Sequence, residues 1–256
     1  MEGVESTRKP QLEKKGNGEL SQPLQRTVRS AEIVYTRTRL VPTSLERLRE
    51  RRIITAAEEG PLADAFKMLR TQVMLRMREN RWNLLAVTSP GSGEGKTVTT
   101  ANLAMSLAME VHQTVLLVDA HLRNPGIHTL FGLGKGPGLV DYLVDQKPIE
   151  DLLIHPGIPG LVILPAGRAV QNSSELLTSP QMLGLVNELK YRYSSRVVLF
   201  DLPPLLQTAD ALAFSPYVDA MLLVVQAGRT QTEEVERALH LLRGVPILGT
   251  VLNQGG

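Results

Sequence analysis

The segment with the clearest chemical pattern is SPGSGEGKT, residues 89–97, which follows the apolar run 84–88 and precedes a helical pattern. Glycines at 93 and 95 let backbone N–H groups wrap closely around a β-phosphate, because a side chain would block that approach. Lys96 can then reach the β- and γ-phosphates, the Thr97 hydroxyl can ligate Mg²⁺, and the helix N-terminus adds positive charge. The sequence therefore predicts that ATP and Mg²⁺ are bound by Gly91, Ser92, Gly93, Glu94, Gly95, Lys96, Thr97 and Val98.

This loop departs from the usual pattern G-x-x-x-x-G-K-[ST] at its first position, where Pro90 replaces glycine. The Gly-Lys-Thr end, which makes the tightest contacts with phosphates, is intact. A glycine-rich turn with a purely structural role is the alternative. The position of the loop between a strand and a helix favours the phosphate-binding interpretation.

Two further apolar runs end in aspartate. Residues 115–119 read VLLVD and residues 197–201 read VVLFD, so Asp119 and Asp201 are each predicted at the carboxyl end of a strand. A lone aspartate after a strand is usually a cap or a turn residue. Two of them beside a phosphate loop instead indicate Mg²⁺ ligands, acting directly or through water.

These residues require an α/β fold that brings strand ends together. The apolar runs alternate with amphipathic segments, which predicts a mostly parallel central sheet with helices on both faces and ligands at the carboxyl edge. Strands are predicted at 83–88, 114–119, 161–165, 196–201, 220–226 and 247–253, and helices at 42–52, 62–77, 95–110, 174–193, 209–214 and 230–243. The last helix begins with a capping box, Thr230 with Glu233.

Composition limits the function classes. The chain has 256 residues, 43% of them hydrophobic, which suits one α/β domain behind a polar head. It contains no cysteine, so disulfides, thiolate catalysis and cysteine-ligated metals are excluded and a cytosolic setting is expected. No apolar run approaches the roughly 20 residues of a membrane-spanning helix.

The N-terminal part differs from the rest in composition. Residues 1–55 are predicted to form a disordered or loosely attached head, and residues 56–256 the nucleotide-binding domain. Lys and Arg outnumber Asp and Glu in the head, whereas the whole chain carries a formal charge of +2. Attraction to an anionic membrane or an acidic partner is one interpretation. A solvated tail with incidental charge is favoured, because the charges are mixed.

Longer motifs carry a family resemblance. Residues 115–125, VLLVDAHLRNP, with Ile127, His128 and Phe131, are similar to the second Walker-type motif of bacterial tyrosine kinases. Residues 200–225, FDLPPLLQTADALAFSPYVDAMLLVV, resemble their Walker B segment. GLVDYL at 138, LPAG at 164 and SSELLTSPQM at 173 agree. The chain thus resembles the CapB and CpsD type, nearest to EpsG-like proteins of exopolysaccharide loci.

The resemblance implies a MinD- or ParA-like fold and tyrosine autophosphorylation in trans within a ring. A transmembrane polysaccharide chain-length regulator would be the activating partner, holding the kinase at the inner face of the plasma membrane. No nucleic-acid partner is implied. The resemblance assigns catalytic roles to Lys96, Asp119, His121, Arg123 and Asp201, with Arg123 a charge near the phosphates. The family's oligomer motif corresponds to Asp64, Lys67 and Arg70.

Three departures from the family pattern affect the interpretation. His121 stands where the family has a second aspartate, and an imidazole can accept a proton but cannot supply a carboxylate's charge. The C-terminus lacks the family's tyrosine cluster, which leaves Tyr35 as the accessible candidate acceptor. Gly91 replaces the signature lysine of MinD-type loops, as in the kinases.

Three functions remain open at this point. The first is an ATP-dependent protein-tyrosine kinase that acts on itself or on polysaccharide-synthesis proteins. The second is a nucleotide-gated assembly module that binds ATP without phosphorylating tyrosine, which His121 and the missing tyrosine tail favour. The third and weakest is a ParA-type ATPase that positions cargo or nucleic acid.

Overall fold

A computed structural model of the chain describes residues 38–55, 58–111, 113–192 and 196–254. These residues form an α/β domain around a single sheet. No helix in the described ranges is long and apolar enough to cross a membrane.

The sheet contains eight strands within the described residues, in the order β1-β4-β5-β3-β6-β2-β7-β8. All neighbouring strands run parallel except β4 and β5, which are antiparallel. The strands are β1 Arg39–Leu40, β2 Leu84–Thr88, β3 Thr114–Asp119, β4 Ile154–His155, β5 Leu161–Leu164, β6 Arg196–Asp201, β7 Ala220–Gln226 and β8 Ile247–Asn253.

Helices connect the strands and cover the sheet. They are α1 Leu45–Glu50, α2 Pro61–Asn80, α3 Lys96–Ala108, α4 Ile127–Leu130, α5 Leu139–Asp145, α6 Ser173–Leu177, α7 Pro180–Arg192, α8 Asp210–Phe214 and α9 Thr232–Leu241. Short 3₁₀ turns lie at Ile149–Asp151 and Ser215–Tyr217.

Two hydrophobic cores lie on opposite faces of the sheet, because successive residues of a strand point to opposite sides. In β2, Leu84 and Ala86 belong to one core, and Leu85 and Val87 belong to the other. The first core is completed by Leu139, Leu177, Met182, Phe214 and Ala238 from α5 to α9, and the second by Leu48, Val73, Leu103 and Ile127 from α1 to α4. The predicted fold class, a mostly parallel sheet with helices on both faces, is confirmed.

Some predicted elements were wrong in detail. The single helix predicted over 174–193 is two helices, α6 and α7, because Pro180 interrupts it and the Ser179 hydroxyl accepts the Met182 N–H at 3.2 Å. The capping box lies one residue later than predicted, at Gln231, whose N–H donates to the Glu234 carboxylate at 3.0 Å. Strands β1 and β4 and helices α4 and α5 were not predicted.

The predicted head falls into two parts. Residues 1–37, including Tyr35, lie outside the described residues. The later part is packed, because Leu48, Ile53 and Ile54 are buried in the second core and the Asn102 side chain accepts the Ile54 N–H at 2.7 Å. This stretch is therefore not loosely attached, although the division into head and domain remains a prediction.

Candidate functional site

The glycine-rich loop joins β2 to α3 at the carboxyl edge of the sheet. Gly93 and Gly95 have φ angles of 77° and 86°, a region that favours glycine. A Cβ on Gly95 would collide with the Asn253 side chain, and one on Gly93 would lie 3.0 Å from the Arg229 guanidinium. The backbone conformation therefore favours glycine at both positions, and at Gly95 the Asn253 side chain leaves no room for a Cβ.

Glu94 holds this loop in place from within. Its side chain is buried, accepts the Gly91 N–H at 2.8 Å and also accepts the Thr230 hydroxyl. Its backbone carbonyl accepts an N–H from the Asn253 amide at 2.9 Å. The loop is thus fixed to the turn after β7 and to the end of β8. Neither Thr230 nor Asn253 was predicted as a site residue.

The first residues of α3 face the end of β6. The Thr97 hydroxyl donates to Asp201 Oδ2 at 2.8 Å, and the Thr100 hydroxyl lies 3.3 Å from Asp201 Oδ1. Lys96 Nζ lies 3.3 Å from Thr97 Oγ1. The predicted lysine, threonine and Walker B aspartate are therefore together.

Asp119 lies beside Asp201, because β3 and β6 are neighbours and these two residues are register partners. Asp119 Oδ2 accepts the N–H groups of Gly126 and Ile127, each at 3.0 Å. Both carboxylates are fully buried. Burial raises the pKa of Asp119 to about 7, with a further contribution from Asp201, and burial also raises the pKa of Asp201. The charge of Lys96 and the hydroxyls of Thr97 and Thr100 act in the opposite direction on the pKa of Asp201.

A divalent cation fits this donor set. Two carboxylates and the Thr97 hydroxyl offer hard oxygen atoms, and Mg²⁺ is typically held by one or two carboxylates together with substrate phosphates. Such an ion would neutralise the buried pair of Asp119 and Asp201.

His121 extends the site on the other side of Lys96. Its Nδ1 lies 3.3 Å from Lys96 Nζ. Burial, and then the charge of Lys96, lowers the pKa of His121 to about 4. The imidazole is therefore neutral near pH 7. Because an ammonium only donates hydrogen bonds, Nδ1 accepts from Lys96 and the ring proton resides on Nε2.

Arg123 belongs to a separate network. Its Nε donates to Ser173 Oγ at 2.8 Å, and the Ser173 hydroxyl donates to Asp210 Oδ2 at 2.5 Å. Asp210 is fully buried and lies 3.7 Å from Arg123 Nε. Arg123 is thus held by partners on α6 and α8, which were not predicted, and its place near the phosphates stays a prediction.

The three residues of the predicted oligomer motif lie on α2. Asp64 and Lys67 form an ion pair at 2.9 Å, and their side chains are 68% and 54% exposed. Arg70 is only 18% exposed, because its guanidinium pairs with Glu110 at 2.9 Å and donates to the Ser106 carbonyl at 3.0 Å. Asp64 and Lys67 are therefore accessible to another chain, whereas Arg70 is largely occupied within its own.

The strand, glycine-rich loop, Lys-Thr pair and acidic strand ends define a P-loop nucleotide-binding domain. Solved structures agree: the kinase domain of Escherichia coli tyrosine kinase ETK has a TM-score of 0.71 and 29% identity, covering 86% of this chain and 89% of its own. MinD from Pyrococcus horikoshii OT3, complexed with Mg-ADP, has a TM-score of 0.56 and 25% identity, covering 68% and 71%.

Sequence relatives identify the family within the class of P-loop proteins. The tyrosine-protein kinase YwqD of Bacillus subtilis (strain 168) is 32% identical over 80% of this chain and 86% of its own length. The tyrosine-protein kinase ptk of Acinetobacter johnsonii is 31% identical over 74% of this chain, which spans only 26% of that relative. No family model matches. The chain belongs to the bacterial tyrosine kinase family, which confirms the resemblance; the narrower likeness to EpsG-like proteins stays a prediction.

Proposed function

We propose that this chain is an ATP-dependent protein-tyrosine kinase domain that acts on itself or on proteins of exopolysaccharide synthesis and export. The tyrosine oxygen attacks the γ-phosphorus, the bond to the ADP oxygen breaks, and the hydroxyl proton passes to an acceptor. Family membership gives the reaction class, and the arrangement of Lys96, Thr97, Asp119 and Asp201 supports it.

The observation that carries this proposal is the buried pair Asp119 and Asp201 in register beside Thr97. Phosphoryl transfer depends on positioning and on neutralising the charge of the transferred group. Mg²⁺ held by Thr97, Asp119 and Asp201 would supply positive charge at the β- and γ-phosphates. The loop residues Gly91–Val98 would bind those phosphates through their N–H groups, and Lys96 would add a second cation.

His121 is assigned as the proton acceptor. While its Nδ1 accepts from Lys96, the neutral ring has no free acceptor. When Lys96 turns to the phosphates, Nδ1 becomes free to accept the tyrosine proton. Acceptance is thereby coupled to nucleotide binding.

A second candidate function is a nucleotide-gated assembly module that binds ATP without transferring phosphate. The neutral His121 favours it, because the imidazole gives no negative charge beside a metal. In either case the partners would be further copies of this chain in a ring and a transmembrane polysaccharide chain-length regulator. That regulator would hold the chain at the inner face of the membrane and activate it.

The test is incubation of the purified protein with γ-labelled ATP and Mg²⁺, with and without the cytoplasmic tail of the membrane partner. Phosphotyrosine is mapped and compared with Lys96→Met. Lys96-dependent phosphotyrosine supports the kinase function. ATP binding without phosphotyrosine under either condition contradicts it and favours the assembly module. Normal ATP binding and turnover in Lys96→Met would contradict the site assignment itself.

A further inference from the structure

A cleft of about 540 Å³ opens on the far side of Asp119 from the phosphate loop. Its walls include Pro125 and His128 after β3, the loop at Lys135, and Pro165 and Arg168 after β5. The volume falls within the range of about 300–1,000 Å³ that is usual for ligand sites. None of the residues described above for the phosphate and metal site lines this cleft.

The cleft adjoins the reaction centre through covalent neighbours. Pro125 precedes Gly126, whose N–H donates to Asp119 and whose Cβ position lies 3.2 Å from the Thr97 methyl group. Pro165 follows Leu164, the register partner of Val118, so it lies level with Asp119 at the sheet edge. The cleft therefore lies next to Asp119 at the carboxyl edge of the sheet.

The strand order determines which end of ATP faces the cleft. Across the sheet, the cleft strand β5 is followed by β3, β6, β2 and β7. Beyond β2, the loop is closed by Thr230 and Asn253, which bond Glu94. A metal held by the acidic pair on β3 and β6 would place the γ-phosphate on the β5 side of the loop. The open cleft thus lies at the end from which phosphate is transferred.

The charges at the cleft that are not neutralised by a neighbour are positive. Of the described residues that line it, none is acidic. Arg168 is neutralised by Asp141 at 3.2 Å and Asp145 at 2.7 Å. Lys135 is exposed and makes no ion pair with any described residue. The Arg39 guanidinium adds a second positive charge, 3.7 Å from the Cβ position of the lining residue Gly136.

The wall at Lys135 also exposes its backbone. Gly134 and Gly136 flank the lysine, and a Cβ on Gly134, which has a φ of 71°, would meet nothing within 4 Å. A bare backbone lets another main chain approach closely. An extended peptide therefore suits this wall better than a compact ligand, with acidic side chains reaching Lys135 and Arg39.

We propose that this cleft binds the acceptor segment, a tyrosine-bearing peptide with acidic flanking residues that contact Lys135 and Arg39. The proposal rests on the kinase function above and names its substrate class. The positive charges attract the peptide to the cleft and give the cleft its preference for acidic flanking residues. The bound peptide then places its tyrosine hydroxyl toward Asp119 and His121.

The experiment measures peptide binding apart from catalysis. Three fluorescent peptides of equal length, each with one central tyrosine flanked by Glu, Gln or Lys, are titrated by anisotropy. The protein is held with Mg²⁺ and a non-hydrolysable ATP analogue. The variants are Lys135→Glu, the conservative Lys135→Arg, and Arg243→Glu, a charge reversal of an exposed residue just after α9. Phosphorylation of the same peptides with ATP is recorded in parallel.

The wild type and Arg243→Glu are expected to prefer the Glu peptide over the Lys peptide. Lys135→Glu is expected to weaken Glu-peptide binding about tenfold, since a reversed charge removes one attraction and adds one repulsion. Lys135→Arg keeps the preference. Equal binding of all peptides, or equal losses in Lys135→Glu and Arg243→Glu, overturns the cleft proposal and leaves the kinase proposal standing. Charge-selective binding without phosphotyrosine overturns the kinase proposal and retains the cleft as a peptide site.

Discussion

The two carboxylates of Asp119 and Asp201 are held together by the sheet at a cost in stability. Both are fully buried, and burial raises the pKa of each. Two buried like charges destabilise a fold unless a cation or a proton intervenes. The arrangement therefore favours binding of a divalent ion over stability of the free domain, a common trade at functional sites.

We predict that Asp201→Asn leaves the free protein at least as heat-stable as wild type and abolishes its stabilisation by ATP with Mg²⁺. An asparagine can still bond the hydroxyls of Thr97 and Thr100, because a hydroxyl both donates and accepts. Thermal unfolding with and without the ligand measures both effects. Asp151→Asn, at an exposed position, is the control. An undiminished ligand response in Asp201→Asn would exclude Asp201 from the metal site.

A second prediction concerns the network of Arg123, Ser173 and Asp210. Ser173→Ala removes the hydroxyl that connects Arg123 to Asp210 and leaves a buried carboxylate poorly satisfied. We expect a loss of about 1–3 kcal/mol in the free energy of unfolding, measured by urea denaturation. Ser174→Ala is the matched control, because among the described residues the Ser174 hydroxyl donates to the exposed Glu175 carboxylate alone. This variant should lose less than about 0.5 kcal/mol. Equal losses in both variants would mean that the network adds no stability.

Local spacing was enough to predict Lys96, Thr97, Asp119 and Asp201 as neighbours, because strand ends in a parallel sheet share one edge. The bond between Glu94 and Asn253 could not be predicted in this way, since 159 positions separate the two residues. Ser173 and Asp210 could not be predicted as partners of Arg123 for the same reason. Only a folded chain shows which distant polar groups meet.

At the scale of elements, the six long strands were predictable because each is a continuous apolar run. Strands β1 and β4 are two residues long and exist through pairing at the sheet edge, so they leave no pattern. The break between α6 and α7 did have a signal, Ser179-Pro180. Because the spacing of apolar residues continues across this break, the sequence pattern predicted one helix.

The segment that begins α5 depends on a close backbone approach. Gly138 lies against the loop after β5, and a Cβ there would collide with the Pro165 carbonyl oxygen and the Gly167 nitrogen. We predict that Gly138→Ala costs about 1–3 kcal/mol in unfolding free energy, because the backbone must move apart. Gly184→Ala, inside α7 with no atom within 4 Å of its Cβ position, should instead stabilise by about 0.5–1 kcal/mol. Chemical denaturation of both variants measures the difference, and a harmless Gly138→Ala would contradict the collision.

At the scale of the whole molecule, α2 presents a surface that the domain does not bury. One side of this helix packs Val73, Met74 and Met77 into the second core. Met68 and Leu75 are 65% and 55% exposed on the same helix as the accessible Asp64 and Lys67. These side chains and the exposed charges together offer a surface on which another copy of the chain could pack. We propose that copies of the chain associate through this surface of α2.

We predict that Asp64→Lys lowers the mass of any assembly, measured by multi-angle light scattering in the presence of ATP and Mg²⁺. Reversing this charge places a lysine beside Lys67 and removes an exposed carboxylate that a neighbouring chain could bind. Glu79→Lys, near the other end of α2, is the control. Arg70→Ala should act differently: its loss of contacts with Glu110 and Ser106 lowers stability within one chain. If the wild type assembles and Asp64→Lys forms an assembly of the same mass, the interface lies elsewhere.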